Sequence, residues 1–224
     1  IIFGLIGFSA IVGITLAIQT GWLLLVMGCA CCFIGVFYTF GPIPLSRMPL
    51  GEVFSGVTMG LGIFAITVYL NTYDKKLFFM ELDLQHFAIT GSTTAALAVV
   101  WASIPLIATI ANIMLANNLC DLEQDIENHR YTLPFYLGKK NAVILFNLLM
   151  YGSYLAIVIG LITGIYQWPI LITFLSLLKV YPQTKAFTKE QIKHKTFAMS
   201  IKNLVAFNGS YALGLLVTLF WQLI

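Results

Sequence analysis

"AALAVVWASIPLIATIANIMLANNLCDLEQDIENHR", residues 95–130, joins two unlike pieces of sequence. Its first 22 residues, 95–116, carry no charge. That length matches the roughly 20 apolar residues a helix needs to cross the hydrocarbon layer of a bilayer. Asp121, Glu123, Asp125 and Glu127 then fall within seven positions, in a chain that owns only nine acids in 224 residues. A membrane span that runs straight into an acidic patch sets the fold class and the candidate chemistry together.

The rest of the chain agrees with the span. Hydrophobic residues make up 59% and charged residues 9%, with a mean hydropathy of +0.91. A water-soluble globule needs more polar surface than that, and a lipid-facing exterior removes the need. Apolar runs recur at 1–18, 22–40, 52–70, 92–118, 141–163, 167–180 and 203–223. None alternates with period two as the strands of a membrane barrel would. The expectation is an all-α, polytopic transmembrane bundle of about seven helices, the sixth shortened or tilted by Trp168-Pro169 at its start.

Basic residues give the orientation. Arg47, Arg130, Lys139, Lys140, Lys179, Lys185, Lys189, Lys193, Lys195 and Lys202 fall on one side of these spans, ten of the 12 in the chain. Lys75 and Lys76 fall on the other. Positively charged connections stay inside, so the acidic patch is expected on the cytoplasmic face of a cell membrane. The partners implied are a bilayer and lipid-like molecules, with no nucleic acid. The chain opens at Ile1 without an initiator Met, a basic leader or a cleavage site. It reads as the interior of a longer protein.

Three connections share the cytoplasmic side: 39–53, 119–140 and 179–203. The external connection, 71–90, mixes aromatic and charged residues and suits an interfacial segment. Pro105 is expected to kink the fourth helix. Cys29, Cys31, Cys32 and Cys120 lack the paired spacing of a zinc site and read as packing residues. His86, His129 and His194 share no ligand spacing and read as surface.

If the fourth helix continues to Asp125, then Asn117, Asp121 and Asp125 stack at i, i+4 and i+8 on one face. Like charges so placed repel unless a cation lies between them. One or two carboxylates, completed by water and phosphate oxygens, suit Mg²⁺. Arg130, Lys139 and Lys140 follow, and cations beside such a metal make a clamp for a diphosphate. Solvation of a loop at a membrane exit is the bland alternative. Asn117 and Asn118 weigh against it, because paired amides at the end of an apolar helix are costly without polar partners.

"NNLCDLEQDIENHRYTLPFYLGKKNA", residues 117–142, resembles the second aspartate-rich motif of the UbiA superfamily of intramembrane prenyltransferases. It looks most like the branch that prenylates 1,4-dihydroxy-2-naphthoate in menaquinone biosynthesis, whose usual form is close to N-N-x-R-D-x-x-x-D-x-x-x-G-[KR]-x-T-L. "YTFGPIPLSRMPLGEV", residues 38–53, and "TFAMSIKNLVAF", residues 196–207, resemble two further segments of that branch. Cys120 stands where Arg is usual, His129 where Gly is usual, and Phe40 where Gly is usual. The family has nine helices and a first aspartate-rich motif on its second. By this resemblance residues 1–224 are one domain corresponding to helices three to nine, without that first motif.

The resemblance implies electrophilic aromatic prenylation. A polyprenyl diphosphate ionises with Mg²⁺ on its leaving group, and an electron-rich aromatic acid attacks the allylic carbon. In this branch carbon dioxide is then lost. Asp121 and Asp125 are the expected metal ligands, with Asn117 in the metal or diphosphate shell and Arg130 on the diphosphate. Lys139 and Lys140 are either diphosphate contacts or boundary markers. Arg47, with Tyr38, either meets the acceptor carboxylate or is an ordinary cytoplasmic cation. Glu52 suits a helix N-terminus, and Glu123 and Glu127 are expected to be solvated. The basic 179–203 segment reads as a headgroup-facing surface.

Other classes remain in view: a prenyltransferase for 4-hydroxybenzoate or homogentisate, an ion-coupled transporter, and an inactive fragment. A transporter would set its acids near mid-membrane, often in repeated halves. A CDP-alcohol phosphotransferase is excluded, because the residues after Asp121 do not form its D-G-x-x-A-R element.

Overall fold

The computed structural model describes residues 1–40, 44–83 and 85–223. Six helices, each counted with its extensions, are long and apolar enough to cross a membrane: Ile2–Thr20, Trp22–Thr39, Gly51–Lys75, Thr93–Cys120, Lys139–Ile162 and Phe197–Trp221. Their outward faces carry exposed Leu, Ile, Val and Phe side chains. In lipid such faces are the solvated state, and the helices satisfy their own backbone hydrogen bonds.

Helices α1 (Ile2–Thr20) and α2 (Trp22–Thr39) form a hairpin. Gly21, at φ +104, makes the reversal in one residue, a backbone that side chains rarely adopt. Helix α3 (Gly51–Gly56) passes through a π-helical turn, Val57–Gly62, into α4 (Ile63–Thr72). Residues 71–90, expected as an interfacial segment, carry a β-hairpin. Strand β1 (Phe78–Leu82) pairs antiparallel with β2 (Phe87–Gly91), from Phe78 opposite Gly91 to Leu82 opposite Phe87.

Helix α5 (Thr93–Cys120) begins at Ser92, whose hydroxyl accepts from the Ala95 N–H at 3.2 Å. It runs as one helix through Pro105. The short α6 (Leu122–Glu127) and α7 (Leu133–Leu137) lead into α8 (Lys139–Ile162). The sixth apolar run takes another form from the one expected. Trp168–Ser176 is a 3₁₀ helix that continues as α9 (Leu177–Lys189), and α10 (Phe197–Trp221) ends the chain's helices.

The seam between the π-turn and α5 is set by glycine. A Cβ added at Gly60 would lie 2.5 Å from the Ile107 nitrogen, and one at Gly56 would lie 2.8 Å from the Ile107 carbonyl oxygen. Small residues four apart let two membrane helices touch backbone to backbone. Glu52 precedes Gly56 by one turn, so the same stripe directs its carboxylate at the end of α5. Two buried clusters fill the other half. Tyr154, Ile157, Ile170, Phe207 and Tyr211 form one, and Leu115, Leu119, Phe146 and Phe187 form the other, directly beneath the acidic patch.

Candidate active site

The helix carrying the acidic patch changes character at Asp121, which caps α5 at φ −98 and ψ 4. The hydrogen-bonding thread survives the break. Asp121 N–H donates to the Asn117 carbonyl at 3.0 Å, and Asp125 N–H donates to the Asp121 carbonyl at 2.8 Å. Asn117, Asp121 and Asp125 therefore keep the stacked order expected from their spacing, although α5 itself stops at Cys120 and α6 starts at Leu122. Glu123 and Glu127 point to solvent.

Helix α6 ends in a Schellman turn. Arg130 N–H donates to the Asp125 carbonyl at 2.8 Å, and His129 N–H donates to the Ile126 carbonyl at 3.1 Å. The residue between helix and turn must take a left-handed backbone, and His129 does so at φ +55. The turn brings Arg130 back over its own helix. Its Nη1 lies 3.5 Å from Asp125 Oδ1, and its Nη2 donates to the Ser46 carbonyl at 3.4 Å. Asp125 is 5% exposed, and its Oδ2 has no hydrogen-bond partner among the described residues. Burial pushes the Asp125 carboxyl above the ordinary aspartate range, Arg130 pulls it partly back, and the Asp121 charge raises it further.

Two residues outside the expected set complete the patch. Lys193, on the connection between α9 and α10, donates to Asn117 Oδ1 at 2.5 Å and to Asp121 Oδ2. Glu52 is 3% exposed and accepts from Asn118 Nδ2 at 2.8 Å through Oε1, which gives Asn118 the polar partner its position demands. The Tyr38 hydroxyl points at the same corner, within 3.6 Å of where a Cβ on Gly51 would sit, and is buried without a hydrogen-bond partner among the described residues. Arg47, Lys139 and Lys140 are exposed and make no ion pair among the described residues. The Gly41-Pro42 element of the 38–53 segment lies outside the described residues.

The three connections expected on one side do meet. Ser46 and Glu52 come from the first, residues 117–130 from the second and Lys193 from the third. By its local sequence Lys193 reads as surface charge, and Glu52 as the helix-end acid that it is in the first turn of α3. One signal was available for Glu52: an acid one turn ahead of a Gly-x-x-x-Gly stripe must travel with that stripe into an interface.

Among the described residues no three His, Cys, Asp or Glu side chains cluster as a complete metal cage. The patch still fits a divalent cation. Two of its oxygens already converge on one positive atom, and Asp125 Oδ2 is buried with unused acceptor capacity. A separate cavity of about 600 Å³ lies toward the β-hairpin, lined by Leu23, Met27, Leu61, Tyr69, Phe78 and Val99. Its lining among the described residues is mostly apolar and holds no Asp, Glu, His, Lys or Arg.

The sequence model of the UbiA prenyltransferase family matches residues 2–210. The chain is 28% identical over 218 residues to the 1,4-dihydroxy-2-naphthoate octaprenyltransferase of Bacillus subtilis (strain 168). That alignment covers 96% of this chain and 63% of the relative, so the chain spans less than two thirds of the relative's length. No solved structure matches it significantly.

Proposed function

The chain belongs to the UbiA prenyltransferase family, and from that premise we propose that the whole protein moves a polyprenyl group from its diphosphate to an aromatic acid. The acceptor we propose is 1,4-dihydroxy-2-naphthoate, with loss of carbon dioxide, as a step of menaquinone synthesis. The name of the Bacillus subtilis relative, a 1,4-dihydroxy-2-naphthoate octaprenyltransferase, supports this choice. Residues 1–224 act as one domain of that enzyme, a multi-pass membrane unit with its acidic patch toward the cytoplasm.

One observation carries the reading: Asn117 and Asp121 aim oxygens at a single cation, one helical turn from a buried, half-satisfied Asp125. Asp121, Asp125 and Asn117 would hold Mg²⁺, with water and phosphate oxygens completing its shell. Held there, the ion would supply positive charge to offset that of the diphosphate. Arg130 stands beside Asp125 with its side chain partly exposed, and its guanidinium would bind a phosphate oxygen. Lys139 and Lys140 open α8 on the same side and add positive potential for the incoming diphosphate. Tyr38, just before the first connection, and Arg47, within it, would orient the acceptor through its carboxylate. The apolar helix walls keep water from the reacting allylic carbon and hold the two substrates together.

The test is turnover of the full-length protein in membranes or detergent, with product identified by mass spectrometry. Activity on dihydroxynaphthoate should require Mg²⁺ and vanish in Asp121→Asn. Undiminished turnover in that variant overturns the assignment of the patch. Product from 4-hydroxybenzoate and none from dihydroxynaphthoate overturns the acceptor.

A further inference from the structure

The Lys193 ammonium sits at the point on which two oxygens of the acidic patch converge. Asn117 Oδ1 and Asp121 Oδ2 both bond to it. The connection that delivers it is pinned. The buried Thr196 hydroxyl donates to the Glu190 carbonyl at 2.9 Å and accepts from the Ile192 N–H at 3.0 Å. Lys195 closes on Glu190 at 2.6 Å. The Lys193 Nζ also lies 4.7 Å from the centre of the Phe197 ring, a further favourable contact for a cation.

Charge balance gives this contact a consequence. At the open end of the patch the negative charges of Asp121 and Asp125 are matched by Lys193 and Arg130. A divalent ion entering between Asn117 and Asp121 must displace the ammonium, and the patch then holds an excess of positive charge. A diphosphate beside the ion cancels that excess and gives the displaced ammonium new acceptors. The four-carbon stem of lysine allows the swing without moving the pinned backbone.

We propose that Lys193 is a substrate-binding residue with two alternative partners: it fills the cation seat at Asn117 and Asp121 in the metal-free protein, and passes to the diphosphate when the metal enters. Metal and diphosphate then bind as a coupled pair, each raising the affinity for the other. The inference rests on the functional reading above for its assignment of Asn117 and Asp121 to the metal.

Mn²⁺ binding to the detergent-solubilised protein, followed by electron paramagnetic resonance with and without inorganic diphosphate, tests it. Lys193→Met should bind Mn²⁺ alone about tenfold more tightly than the parent, and the gain from adding diphosphate should shrink by a similar factor. Lys193→Arg should bind Mn²⁺ alone as weakly as the parent. Asp121→Asn separates the two readings. If it binds Mn²⁺ as well as the parent, the metal seat itself is wrong. If it loses Mn²⁺ while Lys193→Met matches the parent, only the role of Lys193 is wrong. The unaltered protein supplies an independent check by mass spectrometry of lysine acetylation. Saturating Mn²⁺ should speed acetylation of Lys193, and added diphosphate should slow it again. Reactivity indifferent to Mn²⁺ overturns the proposal.

Discussion

Arg130 grips Asp125 twice: its backbone N–H donates to the Asp125 carbonyl at 2.8 Å, and its guanidinium lies 3.5 Å from the Asp125 carboxylate. The double contact depends on the left-handed residue between them, His129 at φ +55. A side chain in that conformation costs about 1–2 kcal/mol, which glycine avoids. Glycine also loses more freedom on folding, by roughly 0.5–1 kcal/mol, so the net gain is small. His129→Gly is therefore expected to raise the thermal midpoint slightly, and His129→Val to lower it. A lower midpoint for the glycine variant would show that the imidazole makes a contact worth more than the strain.

The raised Asp125 carboxyl makes stability depend on pH with a definite sign. The carboxyl binds its proton more tightly in the folded state than in the unfolded one. Its contribution is complete below the ordinary aspartate value of about 4 and is lost as the pH climbs through the higher native value. Arg130, Asp121 and Lys193 are the charged groups that act on it. Relative to Asp125→Asn, the parent should lose stability as the pH rises from acid toward neutral, measured as thermal midpoints without divalent ions. A difference that stays flat, or runs the other way, contradicts the burial argument.

Glu52 and Asn118 form a buried pair, and each is the other's side-chain partner. Asn118→Leu strands Glu52 Oε1, the oxygen that accepts from Asn118, and should cost about 2 kcal/mol. Glu52→Gln keeps an acceptor for the Asn118 amide and should cost far less. Thermal unfolding in one detergent compares the two. Equal losses would mean that packing, not the hydrogen bond, matters there.

Gly60→Ala places a methyl 2.5 Å from the Ile107 nitrogen and 2.7 Å from its Cα, with backbone on the far side. The seam must open, at an expected cost of about 1–3 kcal/mol. Gly152→Ala is the control, because nothing lies within 4 Å of the added carbon. Similar midpoints for the two variants would remove the seam from any account of this fold.

Helical spans were legible because length and apolarity alone decide membrane crossing. Asn117, Asp121 and Asp125 were legible because period 3.6 survives the break at Asp121: the hydrogen bonds at 3.0 and 2.8 Å continue the thread. The β-hairpin was not, because its ten paired residues lack strict alternation and sit among charges. Glu52 and Lys193 escaped for a different reason. Their roles come from contacts spanning 66 and 72 residues of sequence, and no local pattern encodes which distant connection a side chain will meet.

The absence of side chains between Gly60 and Ile107 also shapes how the molecule can breathe. Two backbones in direct touch leave nothing between them to repack, and they tie the start of α3 to the end of α5 at Glu52 and Asn118. Helices α1 and α2 are held by much less, with Ala17, Thr20 and Leu24 as their buried residues among those described. Loosening of the bundle is therefore expected to begin at that hairpin, with the glycine seam the last to part.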